Sequence, residues 1–151
     1  MSNDKGENWD KLNDELTFTT VMRHSQLQLD PTDKDTVYAG TWGGGTYKST
    51  DGGTNWMKLG NAPESPTCLA IYEKNPDIIY ACDRIKPVIH KSEDGGLTWR
   101  EYYEFDRSNV LTSAVAIDPN DPDTIYAATF GRPFCVIAGS LLKITNGVVV
   151  A

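Results

Sequence analysis

S-T-D-G-G-T-N-W-M-K-L at residues 49–59 returns, little altered, as S-E-D-G-G-L-T-W-R-E-Y at residues 92–102. A spacing of about 43 positions, from Ser49 to Ser92, falls in the range of 40–50 residues that marks arrays of small β-units such as propeller blades. The flanks repeat as well. An alternating or apolar segment occurs at 25–30, 67–72 and 112–118, followed by a Pro/Asp/Asn turn and then a β-branched and aromatic run at 36–41, 78–83 and 124–129. Tyr38, Tyr80 and Tyr126 hold equivalent places in those runs. A third run at 45–50 or 88–93 leads into Asp-Gly-Gly, and a Trp-bearing run at 55–59 or 98–102 follows it. Each run is short, rich in Val, Ile, Thr, Tyr and Trp, and bounded by turn residues, which is the pattern of a β-strand. No segment of ten or more residues keeps a helical period, so the chain reads as all-β.

The repeated phrase reads as a turn rather than a reactive group. A tight reversal wants a side chain that accepts hydrogen bonds from nearby backbone N–H groups, followed by residues free to adopt positive φ. Asp51-Gly52-Gly53 and Asp94-Gly95-Gly96 supply both. Ser49 and Ser92 can add a hydroxyl bond, and Trp56 and Trp99 can cover the turn with a large apolar face.

S-x-D-G-G-x-T-W resembles the Asp-box, or BNR, repeat of blades in sialidases, xyloglucan-cleaving glycoside hydrolases, sortilin-type receptors and a photosystem II assembly factor. The second copy matches in full through Thr98 and Trp99, and the first has Asn55 in place of Thr. With the lead-in around Val37-Tyr38-Ala39-Gly40-Thr41, the resemblance covers residues 25 to about 135. It implies a β-propeller of four-stranded antiparallel blades, with each box joining the third and fourth strands on the face away from the active site. Ser49, Asp51, Gly52, Gly53, Trp56, Ser92, Asp94, Gly95, Gly96, Thr98 and Trp99 are then structural.

Composition narrows the partners. The 151 residues carry 39% apolar and 23% charged side chains, which is globular. A net charge of −7, with its few Lys and Arg scattered, repels nucleic-acid phosphates and anionic headgroups. No apolar run approaches the roughly 18–20 residues that span a bilayer, and the N-terminus lacks a basic and apolar leader pattern. A cytoplasmic location is expected as written, or a secreted or periplasmic one if a signal peptide has been removed. Cys68, Cys82 and Cys135 lack zinc spacing and are expected as buried thiols. If 67–72 and 78–83 form a hairpin, however, Cys68 and Cys82 lie nearly opposite and could bridge.

No cofactor or metal is expected. The acidic run at 118–123 has Pro122 where a calcium loop needs a ligand, and the Trp42-Gly43-Gly44-Gly45 stretch lacks the Lys-Ser/Thr ending of a phosphate loop. His24 and His90 lie far apart in the sequence, and His90 falls where the first unit has Tyr47, so neither receives a catalytic role.

With the turns on one face, the loops after the second strands form the other, where propellers bind ligands. These loops carry Trp42, then Asp83 and Arg84, then Phe130 and Arg132. Aromatic rings beside Arg and Asp suit a sugar or a protein ligand, while rim packing between blades is the alternative for Trp42 and Phe130. A glycosidase needs two facing carboxylates. In the xyloglucan-cleaving relatives a catalytic Asp follows the second strand, but Trp42 and Phe130 occupy that place here, and Asp83 is one position out of register. No Arg triad of the sialidase kind can be assembled from Arg23, Arg84, Arg100, Arg107 and Arg132. The expectation is a non-catalytic binding module. A glycoside hydrolase using Asp83, or a pure assembly scaffold, stands as the alternative.

Residues 4–12 align with 51–59, so Asp4, Gly6 and Trp9 read as the remains of a further box followed by a closing strand at 8–13. Blade 1 is expected at 25–60, blade 2 at 66–104, and an incomplete blade 3 at 112–138 with an irregular tail at 139–151. Known propellers typically use about 4–8 blades. A homodimer is therefore expected, forming one six-bladed ring in which residues 8–13 of each chain pair near 134–138 of the other; the alternative is that residues 140–144 form the fourth strand themselves and the chain is a fragment or part of a larger ring.

Overall fold

The structure, a computed structural model, describes residues 5–8, 26–106, 110–131 and 139–150. Every regular element among them is a β-strand, and the twelve strands form three four-stranded antiparallel sheets. Blade 1 holds β1 (Gln26–Leu29), β2 (Val37–Thr41), β3 (Gly45–Ser49) and β4 (Met57–Lys58) in that spatial order. Blade 2 repeats it with β5 (Pro66–Ile71), β6 (Ile79–Asp83), β7 (Val88–Ser92) and β8 (Arg100–Glu104). Blade 3 consists of β9 (Val110–Asp118), β10 (Asp121–Gly131), β11 (Leu141–Thr145) and β12 (Val148–Val150).

The stretch read from the sequence as an irregular tail is therefore regular. Asn146 and Gly147 both take positive φ, 51° and 73°. They form the two-residue reversal that matches strand twist, so Leu141–Thr145 and Val148–Val150 pair as a hairpin. The expected closing strand at 8–13 lies, except for Asn8, outside the described residues, as does the segment 134–138. Lys5 and Gly6 are described. Their φ values of 60° and 94° match those of Gly52 and Gly53, 70° and 90°, and of Gly95 and Gly96, 67° and 90°. The N-terminal copy of the turn thus keeps the left-handed pair even where Lys replaces the first Gly.

The turns close as their chemistry demands. Ser49 Oγ donates to Asp51 Oδ1 at 2.8 Å and accepts from Gly53 N at 2.9 Å. Asp51 Oδ1 also accepts from Asn55 N at 2.8 Å. In the second copy Ser92 and Asp94 make the same bonds with Gly96 and Thr98. The Asn55 side-chain amide donates to Asp51 Oδ2 at 2.6 Å, the same role Thr98 Oγ1 plays toward Asp94 Oδ2 at 2.5 Å. The departure from the repeat is therefore chemically silent. Trp56 and Trp99 do more than cover the turns, since each indole N–H donates to the second glycine's carbonyl, at 2.8 and 2.9 Å.

The core lies between blades. Tyr38 and Leu59 of blade 1 pack with Leu69, Ile79 and Ala81 of blade 2. Tyr80, Cys82, Ile89 and Tyr102 of blade 2 pack with Ile125, Ala127 and Ile144 of blade 3. Gly40 is needed at the first seam, where an added Cβ would sit 2.6 Å from Pro66 Cγ. Lys91 is buried in the second seam, where its ammonium bonds Asp123 Oδ1 at 2.5 Å and Glu93 Oε1 at 2.7 Å. Burial alone would lower its pKa, but the two carboxylates outweigh it and hold the group above its ordinary value.

One expectation is corrected here. Cys68 and Cys82 are not free thiols but a disulfide, facing each other across β5 and β6 with Cα atoms 5.1 Å apart. The antiparallel register puts both side chains on one face of adjacent strands, within bridging distance.

Candidate functional site

The register separates two ends of the molecule. Ser49 pairs with Val37 and Ser92 with Ile79, so both DGG turns leave the sheets at the start of the second strands. At the other end lie the loops after β2 and β6 and the connection from blade 1 to blade 2. That connection folds over the loops: Gly45 N donates to Glu64 O at 3.0 Å, Gly43 N to Ser65 Oγ at 2.9 Å, and Arg84 N to Ser65 O at 3.0 Å.

Trp42, Arg84 and Phe130 each follow the equivalent residues Thr41, Asp83 and Thr129, one place per blade. The structure brings the first two together. The Arg84 guanidinium lies 3.8 Å from the centroid of the Trp42 ring, a cation–π contact across the seam between blades 1 and 2. That ring face holds a neighbouring blade rather than facing solvent. Phe130 sits in blade 3, 40% exposed, and is not part of this pair. Arg132 lies outside the described residues.

Beside the pair is a cleft of about 330 Å³, lined on one wall by Asn61, Ala62, Pro63 and Glu64 and on the other by Asp83, Ile85, Lys86 and His90. Asp83 Oδ1 accepts from Ile85 N at 2.7 Å, which fixes the carboxylate. Its Oδ2 lies 3.8 Å from His90 Nε2, too far for a direct hydrogen bond. His90 Nε2 is buried and bonds no described protein atom. Burial holds the imidazole below the usual histidine range against the opposing pull of Asp83 and Glu101, with Lys86 adding to the depression, so His90 is neutral near pH 7. The cleft thus carries an oriented carboxylate beside a neutral imidazole whose Nε2 is turned from solvent, with a second carboxylate, an ammonium and an amide at the margin. Among the described residues no group of three or more His, Cys, Asp or Glu side chains is placed to hold a metal.

Sequence reasoning singled out Asp83 but passed over His90 and Glu64. The replacement of Tyr47 by His90 at one strand position was a usable signal. Glu64 enters only through the fold of the blade connection.

A propeller-type array of four-stranded blades with its polar cleft opposite the DGG turns defines the class. The family profile described as sortilin, neurotensin receptor 3 (Sortilin-Vps10) matches residues 1–133, and the chain belongs to that family. Two curated sequences named xyloglucanase Xgh74A, from Acetivibrio thermocellus, are 28% identical over 132 aligned residues, covering 66% of this chain. The chain spans 15% of the length of those relatives. Among solved structures, the GH74 enzyme of Niastella koreensis superposes with a TM-score of 0.66 at 21% identity, covering 82% of this chain and 20% of that one. The GH74 xyloglucanase of Xanthomonas campestris gives 0.65 at 18%, covering 80% and 20%. These likenesses establish the fold.

Proposed function

We propose that this chain is a non-catalytic binding module whose ligand is a glycan or another hydroxyl-rich surface, held in the Asp83–His90 cleft. The observation that carries the reading is the 3.8 Å gap between Asp83 Oδ2 and the unpartnered His90 Nε2. Leaving a buried polar atom unpaired costs about 1–3 kcal/mol, and a ligand hydroxyl seated to one side of the pair, admitted by a shift of the cleft wall that uncovers Nε2 and bonding both groups, removes that cost. A cleft near 330 Å³ is at the small end of the range for ligand sites and takes one or two sugar rings. The relatives' xyloglucan-cleaving names support a carbohydrate as the ligand class. A protein surface reaching the cleft with Ser, Thr or Tyr hydroxyls is the remaining occupant.

A second reading is favoured by one observation: Glu64 and Asp83 line the same cleft. Two carboxylates are the minimum equipment of a glycoside hydrolase. Against it, Asp83 Oδ1 is already engaged by backbone N–H groups, which suits holding more than attack. A glycan array run beside a panel of chromogenic glycosides separates the two. Binding without turnover, lost in Asp83→Asn, supports the module. Turnover abolished by Asp83→Asn establishes the hydrolase, and silence in both assays overturns a carbohydrate ligand.

A further inference from the structure

The sheet of blade 2 grips β6 least where that strand carries Asp83. β6 pairs with β7 from Ile79 opposite Ser92 to Cys82 opposite Ile89, and Asp83 lies one place beyond the last pair. On its other side Asp83 stands opposite Pro66 of β5, and a proline has no N–H to give to the ladder. The register also slips there, because Thr67 is an extra residue on β5 between the Pro66–Asp83 and Cys68–Cys82 pairs. A bulge of this kind leaves its residue out of the ladder and bends the strand. The Thr67 hydroxyl turns toward blade 3, donating to Thr112 O at 2.7 Å, with Cys82 O at 3.4 Å. Past Asp83 the chain leaves the sheet, tied by one backbone bond from Arg84 N to Ser65 O at 3.0 Å.

The last regular cross-strand pair before Asp83 is Cys68 opposite Cys82, and it is covalent. Neighbouring residues of a strand point to opposite faces, so the sulfurs and the Asp83 carboxylate leave the sheet on different sides. Cys68 and Cys82 pack in the seam with blade 3, in one cluster with Tyr80, Ile89 and Ile125. Ala81, on the Asp83 side, belongs to the seam with blade 1 and lies opposite His90. Neither cysteine lines the cleft. The bridge can therefore act on the cleft only through the backbone of β6. Asp83 passes that constraint on, since its Oδ1 accepts from Ile85 N at 2.7 Å and Lys86 N at 3.4 Å and so holds the wall that follows it.

We infer that the Cys68–Cys82 bridge is a positioning device for the ligand site: it fixes the end of β6, and with it the 3.8 Å approach of Asp83 Oδ2 to His90 Nε2. The inference rests on the reading of Asp83 as the carboxylate that holds the ligand. Further along the hairpin β5 and β6 keep a regular ladder from Leu69–Ala81 to Ile71–Ile79, so loss of the bridge spares the blade and loosens its end. Opening the bridge takes two electrons and two protons from a dithiol, which leaves as its own disulfide while Cys68 and Cys82 become thiols.

The test reads the site without a ligand, so its failure is separate from a failure of the binding reading. His24→Gln with Cys135→Ser leaves one histidine and two cysteines. The His90 Cε1 proton is titrated by NMR in this chain with the bridge formed and after refolding with dithiothreitol. The charged groups facing the ring are Asp83 at the end of β6, Glu101 opposite it on β8 and Lys86 in the loop. Burial outweighs the two carboxylates and holds the midpoint of the bridged chain below 6.5. In the reduced chain the end of β6 opens, water reaches the ring, and the midpoint should rise toward 6.5. The indole N–H signals of Trp56 and Trp99, which bond the turns at the opposite end, should stay in place. Cys68→Ser with Cys82→Ser should reproduce the reduced titration with or without dithiothreitol. An unchanged His90 midpoint overturns the inference. So does loss of the indole signals in both the reduced chain and the serine variant, because the bridge would then hold the whole fold rather than Asp83.

Discussion

The Tyr38 hydroxyl of the first blade donates to the Gly95 carbonyl in the turn of the second, 3.1 Å away and out of contact with solvent. This bond ties an interior strand of one blade to the outer turn of the next, so blade order is held by side chains as well as by the apolar seam. Tyr38→Phe keeps the ring in the seam and removes the donor. Lys48 still reaches the same carbonyl, so the acceptor is not orphaned and the cost should stay near 1 kcal/mol. For a chain of this size that is a fall of about 2–4 °C in Tm, measured by calorimetry.

Gly96 has φ of 90°, and a Cβ there would stand 2.9 Å from Leu59 Cδ1. Gly96→Val should therefore cost about 1–3 kcal/mol from backbone strain. The loss should appear in the melting curve and leave the cleft at the opposite end unaltered. An unchanged melt with ligand binding abolished would mean that the turns, not the loops, face the ligand.

Acid should act in two stages. The folded protein holds His90 below its ordinary pKa, so the unfolded chain binds the extra proton first. Stability should be full above about pH 6.5 and fall as pH drops below it. Asp51 and Asp94 are held at about 2, chiefly by hydrogen bonds from Asn55 and Thr98 respectively. Their contribution is present above the unfolded carboxylate value near 4 and is lost only as pH falls toward 2. In thermal melts from pH 8 to 5, His90→Gln should flatten the slope below pH 6.5, and an identical slope would show that another group titrates there.

The Cys68–Cys82 bridge closes a short loop between strands that already pair, with 14 residues of separation. A free loop of that size would gain about 3 kcal/mol from the bridge, and pairing of the strands makes that an upper bound. Melts with and without reductant should differ by less than this amount. A Cys68→Ser, Cys82→Ser double variant should lose all sensitivity to reductant.

The blades were legible because their turns demand particular residue types: an acceptor at Asp51 and Asp94, and left-handed glycines after each. Strands around Tyr38, Tyr80 and Tyr126 followed from composition. Blade 3 was only half legible, since its last hairpin turns on Asn146-Gly147 where the other blades use the longer turn followed by a Trp. Asp83 could be picked out by its place after a strand. Its meeting with His90 could not, because a strand histidine gains meaning only when register and burial put its Nε2 opposite a carboxylate. The cysteines were half legible, because a hairpin over 67–72 and 78–83 already puts Cys68 and Cys82 nearly opposite, and the observed register then brings them within bridging distance.

The central claim is that Asp83 and His90 together hold a hydroxyl of the ligand. Calorimetric titration of an array-selected oligosaccharide into the unaltered chain, Asp83→Asn and His90→Ala tests it most directly. The account predicts at least a tenfold loss of affinity in each variant, about 1.4 kcal/mol, with melting temperatures retained. Equal affinity in all three proteins would contradict it.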